Sequence, residues 1–388
     1  MRILNVNALL DAATGGGTAE RTLQLSRALA AEGAEVTVLT LDIGLDPERR
    51  QRLGKAHVTA LPCVNRRFML PSPAHWNLDT LVETADVVQL TGHWTIINVL
   101  AARAARQAGK PYVICPAGAL PIVGRSQLLK RAYNALAGRR IVAGAAGWVA
   151  ITALEREQFV PYGVAPERVT IIPNGVWMED FAGHDGTAFR ERHALGTRPY
   201  ILFVGRLNPI KGPDLLLDAF LRLGPRCRHH LVFAGPDEGL RAPLTETARA
   251  AGAAERVHFT GFVGGEEKAS AYQGADLVVV PSRQEAMSIV ALEAGACARP
   301  VVLTDRCGFD EVEAVGGGRV VSATADALAR TLDELLATDP GGLRAMGDRL
   351  AGLVANRYSW TAAARRCLEL FTAVRRQDMR LHESDSPQ

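Results

Sequence analysis

The segment Leu277-Val-Val-Val-Pro-Ser-Arg-Gln-Glu285-Ala-Met-Ser-Ile289-Val-Ala-Leu-Glu293-Ala-Gly-Ala296 sets a strand, a loop and a helix in one line. A short β-branched run closed by Pro281 predicts a buried parallel strand, and Ile289 to Ala298 the helix that follows it. Glu285 then falls in the loop at the strand's carboxyl end, and Glu293 inside the helix. In an open α/β sheet ligands bind at that edge, where the first helical turn also offers backbone N–H groups to an anion. Carboxylates on either side of such an anion site suit the hydroxyls of a sugar and of a ribose.

The same order recurs at Leu202-Phe-Val-Gly205-Arg206-Leu-Asn-Pro-Ile-Lys211-Gly-Pro-Asp214, a strand ending at Gly205 and a helix from Asp214 to Leu223. Arg206 and Lys211 lie in the loop between them, two cations beside a helix start and a candidate diphosphate clamp. Gly15-Gly16-Gly17 also follows a strand and precedes a helix, and reads either as a close backbone approach to a phosphate or as a surface loop. It lacks the G-x-G-x-x-G spacing of a dinucleotide fold, which disfavours nicotinamide chemistry.

Strands and helices alternate throughout, as in stacked βαβ units. The first half reads as strands at Arg2 to Asn7, Glu35 to Thr40, Val87 to Leu90, Pro111 to Cys115, Gly147 to Ile151 and Val169 to Ile172, with helices at Thr18 to Ala31, Ile96 to Gln107 and Gln127 to Val142. The pattern restarts at Tyr200, after a break at Pro173-Asn-Gly and a polar stretch from Gly183 to Thr197. The fold class is therefore α/β with two Rossmann-like domains and a cleft between them. The 388 residues suffice for two such cores, and 48% apolar with 22% charged residues is ordinary for a soluble globular protein. No signal peptide or membrane span is expected, and six cysteines without paired spacing fit a reducing cytosol rather than disulfides or zinc. Net charge is only +3, but no acid lies between Asp86 and Glu155, where Arg103, Arg106, Lys110, Arg125, Lys130, Arg131, Arg139 and Arg140 all fall. Within that stretch Leu128, Leu129, Ala132 and Leu136 share a helical face, which either packs on its own core or docks on anionic lipid.

Taken together, Gly15-Gly-Gly17, Pro173-Asn-Gly-Val176, Gly205-Arg206 with Lys211-Gly212, the two glutamates and Arg357-Tyr-Ser-Trp360 resemble the family 4 retaining glycosyltransferases of the GT-B fold across nearly the whole chain. The resemblance implies an acceptor domain at 1–176, completed by a last helix at 359–376 that crosses back to it. It implies a nucleotide-sugar domain at 177–358, and 377–388 reads as a disordered tail. It assigns catalysis to Arg206, Lys211 and Glu285. It gives Glu293 the ribose, Phe262 and Val263 the base, and Gly16, Gly17, Gly205 and the N–H groups of Met287, Ser288 and Ile289 the diphosphate. Ala286 and Ser288 stand where many relatives have glycine. Ala117, in Pro116-Ala-Gly118, stands where many carry a histidine facing the sugar. His93, in Gly92-His-Trp94, is the candidate for the acceptor side, or else a structural residue. The expected donor is a UDP- or GDP-sugar with no further cofactor and no metal, and the acceptor a glycan or a lipid-linked intermediate of a cell-surface polysaccharide. An anionic membrane is a possible further partner and nucleic acid is not. A non-catalytic GT-B protein and a two-domain sugar oxidoreductase or epimerase stay open as alternatives.

Overall fold

The structure, a computed structural model, describes residues 1–11, 14–72, 78–122 and 126–384, with side chains as far as 377. The chain forms two compact units, Met1–Asn174 with Trp360–Gln388, and Gly175–Ser359. The first contains β1 (Arg2–Val6), α1 (Gly16–Ala31), β2 (Glu35–Leu41), α2 (Pro47–Arg52), β3 (His57–Leu61), β4 (Cys63–Asn65), β5 (Leu70–Pro71), α3 (Leu78–Thr84), β6 (Val87–Thr91), α4 (Ile96–Gln107), β7 (Tyr112–Cys115), α5 (Gln127–Tyr133), α6 (Arg139–Ala143), β8 (Gly147–Ala150), β9 (Val169–Ile171) and α15 (Trp360–Ser384). The second contains α7 (Thr187–Arg192), β10 (Tyr200–Val204), α8 (Pro213–Leu223), β11 (His230–Ala234), α9 (Arg241–Ala250), β12 (Val257–Gly261), α10 (Gly265–Gly274), β13 (Leu277–Val280), α11 (Ile289–Ala296), β14 (Val301–Thr304), α12 (Glu311–Ala314), β15 (Gly318–Val321), α13 (Ala325–Leu336) and α14 (Pro340–Arg357).

Each unit is built on a parallel sheet, ordered β3-β2-β1-β6-β7-β8-β9 in the first and β12-β11-β10-β13-β14-β15 in the second. Helices cover both faces of such a sheet, so its strands become continuous apolar runs: β6, β7 and β13 are buried at every position. Sheet growth reverses once in each unit, at β1 beside β6 and at β10 beside β13. At these switch points consecutive helices leave in opposite directions and open a crevice at the strands' carboxyl ends.

The last helix completes the first unit. Trp360, Ala363, Cys367 and Phe371 are buried along it, and Val374 meets Gly147, where an added Cβ would lie 3.2 Å from its Cγ1. Each large apolar side chain covered in this way contributes about 1.5–3 kcal/mol. Arg365 adds an ion pair to Glu32 of the α1 C-cap at 2.8 Å. The helix runs on to Ser384, into the stretch expected as a disordered tail, and residues 385–388 lie outside the described ones.

Three other stretches are sharpened. The polar stretch 183–197 belongs to the second unit: Phe189 of α7 is buried, and Gly186 presses on Gly274, where a Cβ would fall 2.3 Å from its Cα. The helix expected over 127–142 is α5 and α6 joined by a π turn, Asn134–Gly138, in which a Cβ at Gly138 would strike Asn134 Oδ1 at 2.4 Å. No residue of α5 is buried, and Leu128, Leu129 and Leu136 are 78%, 61% and 77% exposed, so this face does not pack on its own core. Arg125, at the start of that basic stretch, lies outside the described residues.

Candidate functional site

At the second unit's switch point the loops after β10 and β13 are pressed together. Gly212 heads α8 at φ +68°, and a Cβ there would lie 2.2 Å from the Pro281 carbonyl oxygen, so only glycine allows the approach. That contact brings two expected residues into one cluster: Lys211 Nζ lies 2.5 Å from Glu285 Oε1. Ser282 Oγ donates to the same oxygen at 2.7 Å, and the Glu285 backbone N–H donates to Arg306 O at 2.8 Å.

Arg206 goes elsewhere. Its Nη1 meets Glu238 Oε1 at 3.0 Å, while Asn208 Nδ2 donates to Glu238 Oε2 at 2.6 Å and Asn208 Oδ1 accepts from the Lys211 N–H at 3.0 Å. Gly205 and Gly235 make this crossing possible, since a Cβ on Gly235 would sit 1.9 Å from Gly205 O. Each of the two cations expected as a clamp thus already holds a carboxylate.

Deeper in α11, Glu293 is 5% exposed and needs partners. It receives them from α10: Lys268 Nζ at 2.5 Å and Tyr272 OH at 2.7 Å. Burial and the adjacent carboxylate hold the Tyr272 phenol well above its usual range, so it stays a donor. The head of α11 also departs from expectation. Ser288 donates its own N–H to Cys307 O at 3.2 Å and caps the helix by accepting from Ala291 N at 3.3 Å, so its N–H is not presented to a diphosphate. Ile289 is the first helical residue, and Met287 beside it is buried. Phe262, just past the end of β12, is 53% exposed, whereas its neighbour Val263 is buried.

The remaining expected residues lie in the first unit. Gly15 precedes α1 with room for no side chain, since a Cβ would lie 2.4 Å from Ala19 Cβ and 2.6 Å from Asp11 O. Gly16 takes φ +59°, and a Cβ on Gly17 would meet open space. His93 follows β6 at the first unit's switch point but is 1% exposed, edge-on to Trp94, Tyr133 and Tyr162. Its Nε2 lies 2.9 Å from Asn134 Oδ1, and Asn134 Nδ2 donates to Tyr162 OH at 2.8 Å. The Asn134 oxygen is thereby left to accept, which assigns the His93 proton to Nε2. Burial pushes the imidazole down to about 4, so it is neutral near pH 7. A general base must reach the proton it takes, and His93 is sealed among aromatic rings, so its reading as an acceptor-side catalyst is corrected. Ala117 holds φ +53°, a strained value for a residue with a side chain.

Glu155 is a buried group the sequence reading missed. Its Oε2 accepts from Ile151 N at 2.6 Å, just ahead of the N-cap Thr152, whose own side chain makes no cap bond, and burial pushes the carboxyl up. Among the described residues no group of three His, Cys, Asp or Glu gathers as metal ligands, and no helix is long and apolar enough to cross a membrane.

The sequence matches the family described as Glycosyl transferases group 1 over residues 185–351, and the Glycosyl transferase 4-like domain over residues 16–175. A D-inositol 3-phosphate glycosyltransferase of Frankia alni is 32% identical over 389 residues, covering 92% of this chain and 94% of that protein. Its counterpart in Geodermatophilus obscurus is 37% identical over 250 residues, 62% of this chain but only 52% of that protein, so this second match spans about half the relative's length. Among solved structures, Anabaena Alr3699/HepE in complex with UDP-glucose aligns with a TM-score of 0.76 at 20% identity, over 96% of this chain and 100% of that one. With the family match in each unit and a relative aligned over nearly its full length, the chain belongs to the family 4 retaining glycosyltransferases, and its two parallel-sheet units are those of the GT-B fold.

Proposed function

We propose that this chain moves a sugar from a nucleotide-diphosphate donor to a glycan or lipid-linked acceptor of a cell-surface polysaccharide, with retention at the anomeric carbon. The observation that carries the reading is the Lys211–Glu285 pair at the switch point, backed by Glu293 in the helix that starts there. The diphosphate draws Arg206 from Glu238 and Lys211 from Glu285, and the two cations then neutralise the charge that grows on the leaving phosphate. Glu285, released, accepts from the donor sugar's hydroxyls, while Glu293, oriented by Lys268 and Tyr272, accepts from the ribose. Phe262 and Val263 take the base, and Gly205 and the backbone at Met287 and Ile289 border the phosphates. The departing phosphate oxygen receives the acceptor's proton on the same face, so the step requires neither a covalent nucleophile nor a metal. The UDP-glucose in HepE supports a uridine donor over a guanosine one.

The exposed leucines of α5 beside Lys130 and Arg131 support an acceptor met at the inner face of a cytoplasmic membrane. The names of the curated relatives favour a second acceptor, a soluble polyol phosphate. Release of nucleoside diphosphate from UDP- and GDP-sugars, with and without a chelator, tests the donor half. Slow, chelator-insensitive hydrolysis that disappears in Arg206→Ala is the expected outcome. If no nucleotide-sugar is hydrolysed and no nucleoside diphosphate raises the melting temperature, a non-catalytic GT-B protein is the better reading. A nicotinamide spectrum in the purified protein would instead support an oxidoreductase or epimerase. Adding D-inositol 3-phosphate or a lipid phosphate to the same assay separates the two acceptors.

A further inference from the structure

The first unit contains a cavity of about 350 Å³ beyond the carboxyl ends of β7 and β8. That volume is within the range of roughly 300–1,000 Å³ typical of small-molecule sites. One wall is Leu120, Pro121 and Ile122 from the loop after β7, and another is Pro161 and Tyr162 from the turn of helix that follows β8. The polar groups on its floor are already engaged: Asn134 bonds His93 and Tyr162, and Tyr162 OH donates to Leu120 O at 3.1 Å. The π turn places Asn134 on this floor and hands the chain on to Arg139, which also lines the cavity. Such turns recur at functional sites.

The cavity's other two polar lining residues are Arg139 and Gln158, and neither has a hydrogen-bond or ion-pair partner among the described residues. The chain segments that supply these lining residues also carry exposed apolar side chains, Leu136 at 77%, Leu154 at 67% and Val160 at 50%. An apolar pocket, a satisfied floor, an unpaired guanidinium and exposed apolar side chains on the same segments are together complementary to one ligand chemistry. We propose that this cavity binds the first carbons of the hydrocarbon chain of a lipid phosphate, with Arg139 and Gln158 donating to the phosphate. The inference rests on the reading of the first unit as the acceptor domain and names the acceptor's class.

The test is calorimetry on the full chain with monomeric alkyl phosphates of six, eight, ten and twelve carbons, with inorganic phosphate and an uncharged alkyl maltoside as controls. Each methylene buried should tighten binding roughly fourfold until the cavity is full, after which affinity levels off. Arg139→Gln should weaken decyl phosphate by about tenfold or more, since a hydrogen bond to a charged group is lost, whereas Arg140→Gln, outside the cavity, should change little. Ile122→Trp should bring the plateau to a shorter chain. Inorganic phosphate binding as tightly as decyl phosphate, or an Arg139→Gln variant that binds decyl phosphate normally, would overturn the proposal. Continued gain with chain length and no plateau would also overturn it, as that is adsorption to the surface. UDP binding measured on the same samples keeps the outcomes separate. Its loss in the wild type strikes the donor reading alone, and its survival beside absent alkyl phosphate binding strikes this one alone.

Discussion

The two switch points of this molecule share a topology and differ in chemistry. Beside β10 and β13 the loops carry charge: Lys211 with Glu285, Arg206 with Glu238, and Glu293 behind them with Lys268, all pairs with some exposure to solvent. Beside β1 and β6 one candidate catalyst, His93, is neutral and sealed among aromatic rings. Identical strand orders around a reversal thus fix where a ligand can approach and say nothing of what will hold it. The difference separates displaceable charge from a buried, neutral polar network. Substitutions at the first should remove activity while leaving the fold, and substitutions at the second should do the reverse.

The largest effect is expected at the charged switch point. Arg206→Ala should lower turnover on the order of a hundredfold or more, comparable with removing one preorganised charge stabiliser. Its melting temperature should change little, because the Arg206–Glu238 pair is about a third exposed on both sides and such pairs contribute little to stability. Glu238→Ala is the sharper variant. It frees Arg206 for the diphosphate, so nucleoside diphosphate affinity should rise or stay level, and a fall as large as that of Arg206→Ala would make Glu238 part of the binding site rather than a counterion that yields.

The two glutamates should part by ligand. Glu293→Gln should weaken binding of the bare nucleoside diphosphate about tenfold, since a hydrogen bond to a charged group is lost and Lys268 is left without its carboxylate. Glu285→Gln should leave that affinity within a few-fold and damage sugar transfer instead. Calorimetry showing equal losses for both would contradict the division of labour.

How much of this was legible follows from sequence distance. Glu285, Glu293, Arg206 and Lys211 stand in strand–loop–helix segments that announce themselves locally, so their place at a carboxyl edge could be read directly. Their partners could not. Glu238 lies in the loop after the neighbouring strand, and Lys268 and Tyr272 lie on α10, a polar helix whose i, i+4 pair looks like an ordinary surface stripe until α11 packs beside it. The clamp could therefore be read only by half, since sequence shows the cations and hides their counterions. His93 was left between two readings because Tyr133, Asn134 and Tyr162 reach it from far along the chain. Glu155 carried a local sign, the Thr152-x-x-Glu155 spacing of a capping box, although in the fold its carboxylate takes the Ile151 N–H and the Thr152 side chain caps nothing.

The neutral switch point should show itself in stability. His93→Phe removes the donor to Asn134 Oδ1 and leaves that oxygen buried, at a cost of about 1–3 kcal/mol, while hydrolysis of the donor per folded molecule stays the same. The sign with pH follows from the lowered imidazole. Burial takes His93 to about 4 from 6.5, so below 6.5 the unfolded chain binds the proton that the folded chain refuses. Its contribution, on the order of 3 kcal/mol, is complete above pH 6.5 and is lost progressively as pH falls towards 4. His230, stacked on His258 in the second unit and also lowered to about 4, adds a slope of the same sign. Denaturant midpoints measured between pH 7 and 4 should therefore fall, and fall less steeply in His93→Phe. Equal slopes in the two proteins would mean that His93 is not buried neutral.

The smallest effect per residue should come from the basic surface of the first unit. Lys130, Arg131 and Arg140 lie in the acid-free stretch beside leucines that pack on nothing of their own core. Near an anionic membrane each basic residue gains about 1 kcal/mol, an attraction that acts only within a Debye length of the surface. Sedimentation with vesicles containing anionic lipid should accordingly show binding that weakens steeply with salt and weakens further when these three residues become Gln. Leu128→Ser with Leu129→Ser should reduce what remains at high salt, because insertion of an apolar face is not screened. Neutral vesicles should retain only a weak, salt-independent binding, since the leucine face is short. An absence of binding to anionic vesicles at low salt would remove the membrane from the account and leave a soluble acceptor as the better reading, with the charged switch point of the second unit unaffected.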